Sequence, residues 1–221
     1  MKRIPRSSVL AWILLDWAAS GFSTISITLL VAYFDRIAFV DGRWGIPGGV
    51  LWAWTLASAM LCSAFLSPLL SAWVDRRNFH QRAVVATSCV GAAASISLAI
   101  IPPTSQLGII AAIIVATVAF DMAAIFTASL LPRLAQGHAA DTLSSSGFAA
   151  GYAGGAIALI LATSLVAARD AFGLSATGAL QGSFAIMGVW WLLFSVPTAF
   201  VRMGEQSDNT HAGTSTAELL T

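Results

Sequence analysis

Charge is what this sequence has least of: 10% of its 221 residues are Asp, Glu, Lys or Arg, against 57% hydrophobic. A soluble domain carries roughly 25% charged residues because its surface faces water. A chain with less than half that share cannot cover itself with polar groups, and a soluble domain of any kind is excluded. With a net charge of +1, there is also no global basic field of the kind that binds nucleic acid. Cysteine is nearly missing too. Cys62 and Cys89 lie far apart in apolar stretches, without the spacing of a metal site or a redox pair. They read as small buried hydrophobes. His138 and His211 lie in polar segments with nothing around them to make them ligands. No nucleophile–base set and no phosphate-binding glycine loop is present, so no enzyme, cofactor or metal is expected.

Long hydrophobic runs are what the chain has instead, and its mean hydropathy is +0.82. A spanning helix needs about 20 mostly apolar residues. Six such runs fall at about Val9–Phe34, Gly48–Val74, Ala83–Ile101, Leu107–Leu131, Ser144–Ala168 and Leu180–Val201. Between them lie a turn-rich loop from Asp35-Arg36 to Gly49, a charged loop from Asp75 to Arg82, and Pro102-Pro103, which cannot continue a helix. The start, Met1-Lys2-Arg3-Ile4-Pro5-Arg6, imitates a signal peptide, but the run behind it is too long for one and carries Asp16 and Trp17. It reads as a retained first span. The expected organisation is therefore an all-α polytopic membrane protein, with a bundle over residues 1–201 and a polar, disordered tail over 202–221.

With six spans, both termini share one side with the second and fourth loops. That side holds eight basic residues, Lys2, Arg3, Arg6, Arg76, Arg77, Arg82, Arg133 and Arg202; the other holds Arg36, Arg43 and Arg169. The asymmetry predicts cytoplasmic termini in a plasma or bacterial inner membrane. Trp12, Trp17, Trp44, Trp73, Trp190 and Trp191 fall near span ends, where interfacial aromatics are expected.

Acids inside a bilayer are costly and need a reason. Asp16 lies in the first span and Asp121 in the fourth, at depths of about 10 and 15 Å from the same side at 1.5 Å per residue. Two carboxylates at similar depth suit a proton or cation relay. The competing reading of Asp16 is an interfacial acid favoured by the helix dipole. In the fifth span Gly147, Gly151 and Gly155 recur every four residues, on one face. Such a face lets another helix approach closely, either within the chain or on a partner. In the second loop Asp75 and Arg76 could latch the loop to neighbouring helix ends as the protein changes state.

Three stretches carry a resemblance. Leu15-Asp16-Trp17-Ala18-Ala19-Ser20-Gly21-Phe22, Gly147-Phe148-Ala149-Ala150-Gly151-Tyr152-Ala153-Gly154-Gly155 and Gly188-Val189-Trp190-Trp191-Leu192-Leu193-Phe194-Ser195-Val196-Pro197 are similar, in order and spacing, to the first, fifth and sixth helices of one family. That family is the major facilitator superfamily, in the branch related to the vacuolar amino-acid effluxer of yeast autophagy and its bacterial relatives. The second loop resembles the superfamily's loop motif only at Asp75 and Arg76; Ser71 and Asn78 stand where glycines are expected. The resemblance implies two inverted three-helix repeats forming the N-terminal half of a transporter, with the first and fourth helices lining a cavity. It implies secondary transport of a small polar solute such as an amino acid, Asp16 and Asp121 binding substrate or a coupling proton, and Asp75 and Arg76 acting at the cytoplasmic gate. A half needs a partner, either a second copy of this chain or a separate C-terminal half. The alternatives are a non-transporting structural or assembly subunit of a larger membrane complex, and a truncated, inactive product.

Overall fold

The computed structural model describes residues 5–201 and Met203. Among the described residues there is no strand, and six helices are long and apolar enough to cross a membrane. They are α1 (Arg6–Ala38), α2 (Gly48–Arg77), α3 (His80–Ile100), α4 (Gln106–Leu134), α5 (His138–Ala167) and α6 (Ala176–Phe200). Most of them overrun the expected spans by several residues, into polar flanks such as Asp75–Arg77 and His138–Ser144. A helix satisfies its backbone internally, so it has no reason to stop where the hydrocarbon stops. Pro68 and Pro132 both sit inside helices. The tail expected over 202–221 lies, apart from Met203, outside the described residues, as do Lys2, Arg3 and Arg202.

The packing follows an internal two-fold pattern. The helix α1 lies against α5 and α6, while α4 lies against α2 and α3, and α3 and α6 meet each other. Exchanging α1–α2–α3 for α4–α5–α6 maps each of these contacts onto another or onto itself. Since each repeat has an odd number of spans, the two repeats run inverted through the membrane.

The first helix is not uniform. Two π-helical stretches, Ser26–Leu30 and Phe34–Ala38, interrupt its second half. Just before and within the first, hydroxyls turn back on the helix: Thr24 Oγ1 donates to Ser20 O at 2.8 Å and Thr28 Oγ1 to Thr24 O at 2.7 Å. Such bonds compete with the backbone ladder and bend helices.

Two apolar cores are stacked along the bundle. One gathers Phe22, Ile25, Tyr33, Phe34, Ile113, Phe184 and Trp191; the other gathers Trp12, Leu15, Val84, Phe126, Leu130 and Leu134. Tryptophans expected at the interface are among them. Trp12, Trp190 and Trp191 are buried in the bundle, at 6, 9 and 0% exposure, and only Trp44, Trp54 and Trp73 face outward. For Trp12 and Trp190 the reason is polar anchoring within the bundle, while Trp191 packs against Phe22 and Phe120. Trp12 Nε1 donates to Thr127 O at 2.9 Å, tying α1 to α4, and Trp190 Nε1 donates to Trp17 O at 3.2 Å, tying α6 to α1. Cys62 and Cys89, expected to be buried, are exposed on the outer surface of α2 and α3. In a bilayer an apolar thiol gains nothing from facing protein rather than lipid.

Candidate functional site

Where the two cores meet, α1, α4 and α5 leave a cavity of about 250 Å³. Its walls are largely apolar, with Trp12, Leu15, Phe120 and Phe148 prominent, and a few polar groups enter it: Asp16, Ser20, Thr127, Ser144 and, from α3, Ser88. A mostly apolar pocket with a few placed polar groups is the usual form of a small-molecule site. Asp16 is half-buried. Its carboxylate makes no hydrogen bond or ion pair with any other described residue. The lack of a partner at this depth makes Asp16 a candidate site residue.

The glycine face of α5 lets that helix close up against α1 at Asp16. A Cβ on Gly151 would stand 2.8 Å from Ser20 Oγ and 3.1 Å from Asp16 Oδ2; one on Gly147 would stand 2.7 Å from the Trp12 ring. Gly155 lies in the same way against Ser20 and Thr24, and Gly154 against the Trp17 backbone. The glycines are thus buried against α1 inside this chain, and they are not an outward face. The outward side of α5 carries Phe148 and Tyr152, at 64 and 81% exposure. A partner approaching α5 would meet these aromatic residues, because the side bare of side chains is already filled.

Asp121 does not line this cavity. It points from α4 to α2, where Ser63 Oγ donates to its Oδ2 at 2.6 Å. The two acids are therefore held at different helix contacts, α1–α5 and α4–α2, which the internal two-fold exchanges. Sequence reasoning missed Ser63. A small polar residue in a 30-residue apolar helix was the available signal.

At the end of the bundle that carries the second loop, Asp75 and Arg76 take separate courses. Asp75 Oδ1 lies 3.3 Å from His80 Nε2, and His80 Nδ1 is 2.8 Å from Ser129 Oγ on α4. The Arg133 guanidinium of α4 donates to Asn78 Oδ1 in the loop. Asn78 takes the left-handed backbone conformation, φ 55° and ψ 39°, which turns the chain from α2 into α3 within two residues. Arg76 is exposed and pairs with no described residue. The loop and the start of α3 are thus tied to α4 through Asn78–Arg133 and His80–Ser129, with Asp75 beside His80. His80, Ser129 and Arg133 were not singled out in the sequence. No group of three or more His, Cys, Asp or Glu that could hold a metal occurs among the described residues.

Six spanning helices in inverted repeats, with an acid-bearing cavity against the first and fourth, define a polytopic membrane bundle. The chain matches the family described as vacuole effluxer Atg22 like over residues 53–218, and it belongs to that family. The match takes in Asp75, Arg76, Asp121 and the glycine face, and begins beyond Asp16. The chain is also 28% identical over 200 residues to an uncharacterized MFS-type transporter, YxiO, of Bacillus subtilis (strain 168). That alignment covers 89% of this chain and 46% of the relative, so the chain spans about half of the relative's length. No solved structure matches it.

Proposed function

We propose that this bundle is the N-terminal half of a secondary active transporter for a small polar solute bearing a cationic group, such as an amino acid. The observation that carries this reading is the unpaired Asp16 carboxylate on the wall of the 250 Å³ cavity. A buried carboxylate without a cation nearby favours binding either a proton or a positively charged group. Ser20, Ser88, Thr127 and Ser144 offer hydroxyls for the remaining polar atoms of a solute, while Leu15 and Phe120 provide apolar wall. A single half cannot enclose a path through the membrane. Alternating access by rocking needs a second six-helix half, whether another copy of this chain or a different six-helix segment.

In this reading both termini face the cytoplasm of a bacterial inner membrane. Among the described basic residues Arg6, Arg76, Arg77, Arg82 and Arg133 lie at that end, and Arg36, Arg43 and Arg169 at the other. The Asp75–His80 and Arg133–Asn78 contacts then latch the cytoplasmic side, and Arg76 is left for a contact with the second half.

The test is uptake of a labelled amino-acid mixture by proteoliposomes holding the purified particle, wild type against Asp16→Asn. Uptake that disappears in the variant, with unchanged helicity and elution volume, supports the assignment. Equal uptake removes Asp16 from the path. A wild-type particle that transports nothing and is isolated only as a minor component of a larger complex overturns transport in favour of a structural subunit.

A further inference from the structure

A second cavity, of about 520 Å³, opens at the latched end, between the start of α3, the end of α4 and the end of α6. Its chemistry differs from that of the Asp16 cavity. Arg82 and Arg133 line its rim together with His80 and Gln81, and Val85 and Leu130 form part of its floor. Neither arginine has a carboxylate partner among the described residues. Arg133 spends one donor on Asn78, and Arg82 lies over the Phe79 ring at 5.0 Å, so most of their N–H groups are free. The nearby acid, Asp75, is itself held at 3.3 Å from His80. Phe79 provides no side-chain cap for the first backbone N–H groups of α3.

We propose that this cavity binds the phosphate group of an anionic phospholipid, with Arg82 and Arg133 as its ligands. Two guanidinium forks without counter-ions suit a phosphate bidentately. The apolar floor distinguishes a lipid from a free anion: an inorganic phosphate has no use for Val85 and Leu130, whereas a glycerol backbone and acyl root do. Basic pockets between spanning helices at the interface are where anionic headgroups are retained. A bound lipid would bridge α3, α4 and α6, elements that the His80–Ser129 and Gln81–Thr198 contacts already join.

The experiment is native mass spectrometry and thermal unfolding of the purified full chain. The probes are phosphatidylglycerol, phosphatidylcholine and inorganic phosphate, each added separately. Wild type should retain phosphatidylglycerol and be stabilised by it in preference to phosphatidylcholine. Arg82→Gln and Arg133→Lys should each weaken that retention by about tenfold, the order expected for loss of one charge-assisted contact. Arg77→Gln removes an arginine of the same loop that stacks on Trp73 at 5.3 Å and does not line the cavity. It should retain lipid as wild type does. Equal losses in all three variants would reduce the effect to the general positive charge of this end and overturn the site. Stabilisation by inorganic phosphate matching that by phosphatidylglycerol would overturn the lipid assignment, and indifference between the two lipids would overturn both.

Discussion

Ser63 Oγ lies 2.6 Å from Asp121 Oδ2, and this hydrogen bond is a polar contact between α2 and α4 within the apolar part of the bundle. Ser63 is 7% exposed, so the bond is shielded from lipid as well as from water. A serine hydroxyl can serve the ionised carboxylate as donor and the protonated one as acceptor. The contact to Asp121 therefore does not depend on which partner donates. If Asp121 couples transport to protons, Asp121→Asn should abolish uptake driven by a pH gradient while the variant folds and keeps the bond to Ser63. Ser63→Ala should instead cost about 0.6 kcal/mol, the usual worth of an interhelical hydrogen bond in a membrane protein, and should leave the pH gradient effective. Unchanged gradient-driven uptake in Asp121→Asn would remove Asp121 from the mechanism.

The glycine face answers a different question. With Gly151 lying against Ser20 and Asp16, a leucine there cannot be accommodated without pushing α5 away from α1. Gly151→Leu should therefore lower the thermal stability of the bundle itself and open the α1–α5 contact. Tyr152→Ala, on the exposed side of the same helix, should leave stability within about 0.5 kcal/mol, as surface changes usually do. Differential scanning fluorimetry in one detergent compares the two. If Gly151→Leu melts with wild type, the close approach of α1 and α5 is not what holds this face together.

Much of this architecture was legible because membrane spans announce themselves by length and hydropathy, and the number and order of helices follow from that alone. The α5 glycines and the depth of Asp16 were also visible, since both depend on position along one helix. What escaped was anything decided by the neighbour across a contact. Nothing in the run containing Ser63 says that it faces Asp121. Trp12 and Trp190 look interfacial until their indole N–H groups are seen to reach carbonyls on other helices. Arg133 and His80 resembled ordinary basic residues of the positive end, because the loop geometry that brings them to Asn78 and Asp75 depends on a left-handed Asn78. The π-helical stretches of α1 had no sequence signal beyond a cluster of Ser and Thr, which is common in spanning helices.

The latch can be separated from the fold. Asp75 is mostly exposed, with a side-chain accessibility of 66%, while its partner His80 is buried and bonded to Ser129. Burial disfavours the charged form of His80, so at neutral pH this contact is not a charged pair, and Asp75→Asn should barely change stability. If the contact times the opening of the cytoplasmic side, the same variant should change the rate of uptake several-fold. Arg76→Gln removes no contact within the described chain, and should affect uptake only if its partner lies on the second half. Measured together in proteoliposomes, unchanged uptake in both variants would leave the loop as a positive-inside anchor and no more.

The end of α6 is held by one side chain. Gln81 Nε2 donates to the carbonyls of Thr198 and Val201, each at 2.5 Å, and Gln81 Oε1 accepts from the Met203 N–H at 3.2 Å. Thr198 Oγ1 adds a weaker bond to Ala11 O at 3.4 Å. A helix end leaves its last carbonyls without intrahelical partners, and here the start of α3 supplies them. Gln81→Leu keeps the bulk and removes all three bonds, leaving part-buried backbone groups unpaired at about 1–3 kcal/mol. The expected result is local. Hydrogen exchange at the Met203 amide should accelerate by about tenfold for each 1.4 kcal/mol lost, while amides in the middle of α3 and α6 keep their protection. Acceleration spread evenly over α6 would instead mean that Gln81 supports the whole helix. No acceleration at Met203 would show that the C-terminal turn is held without it.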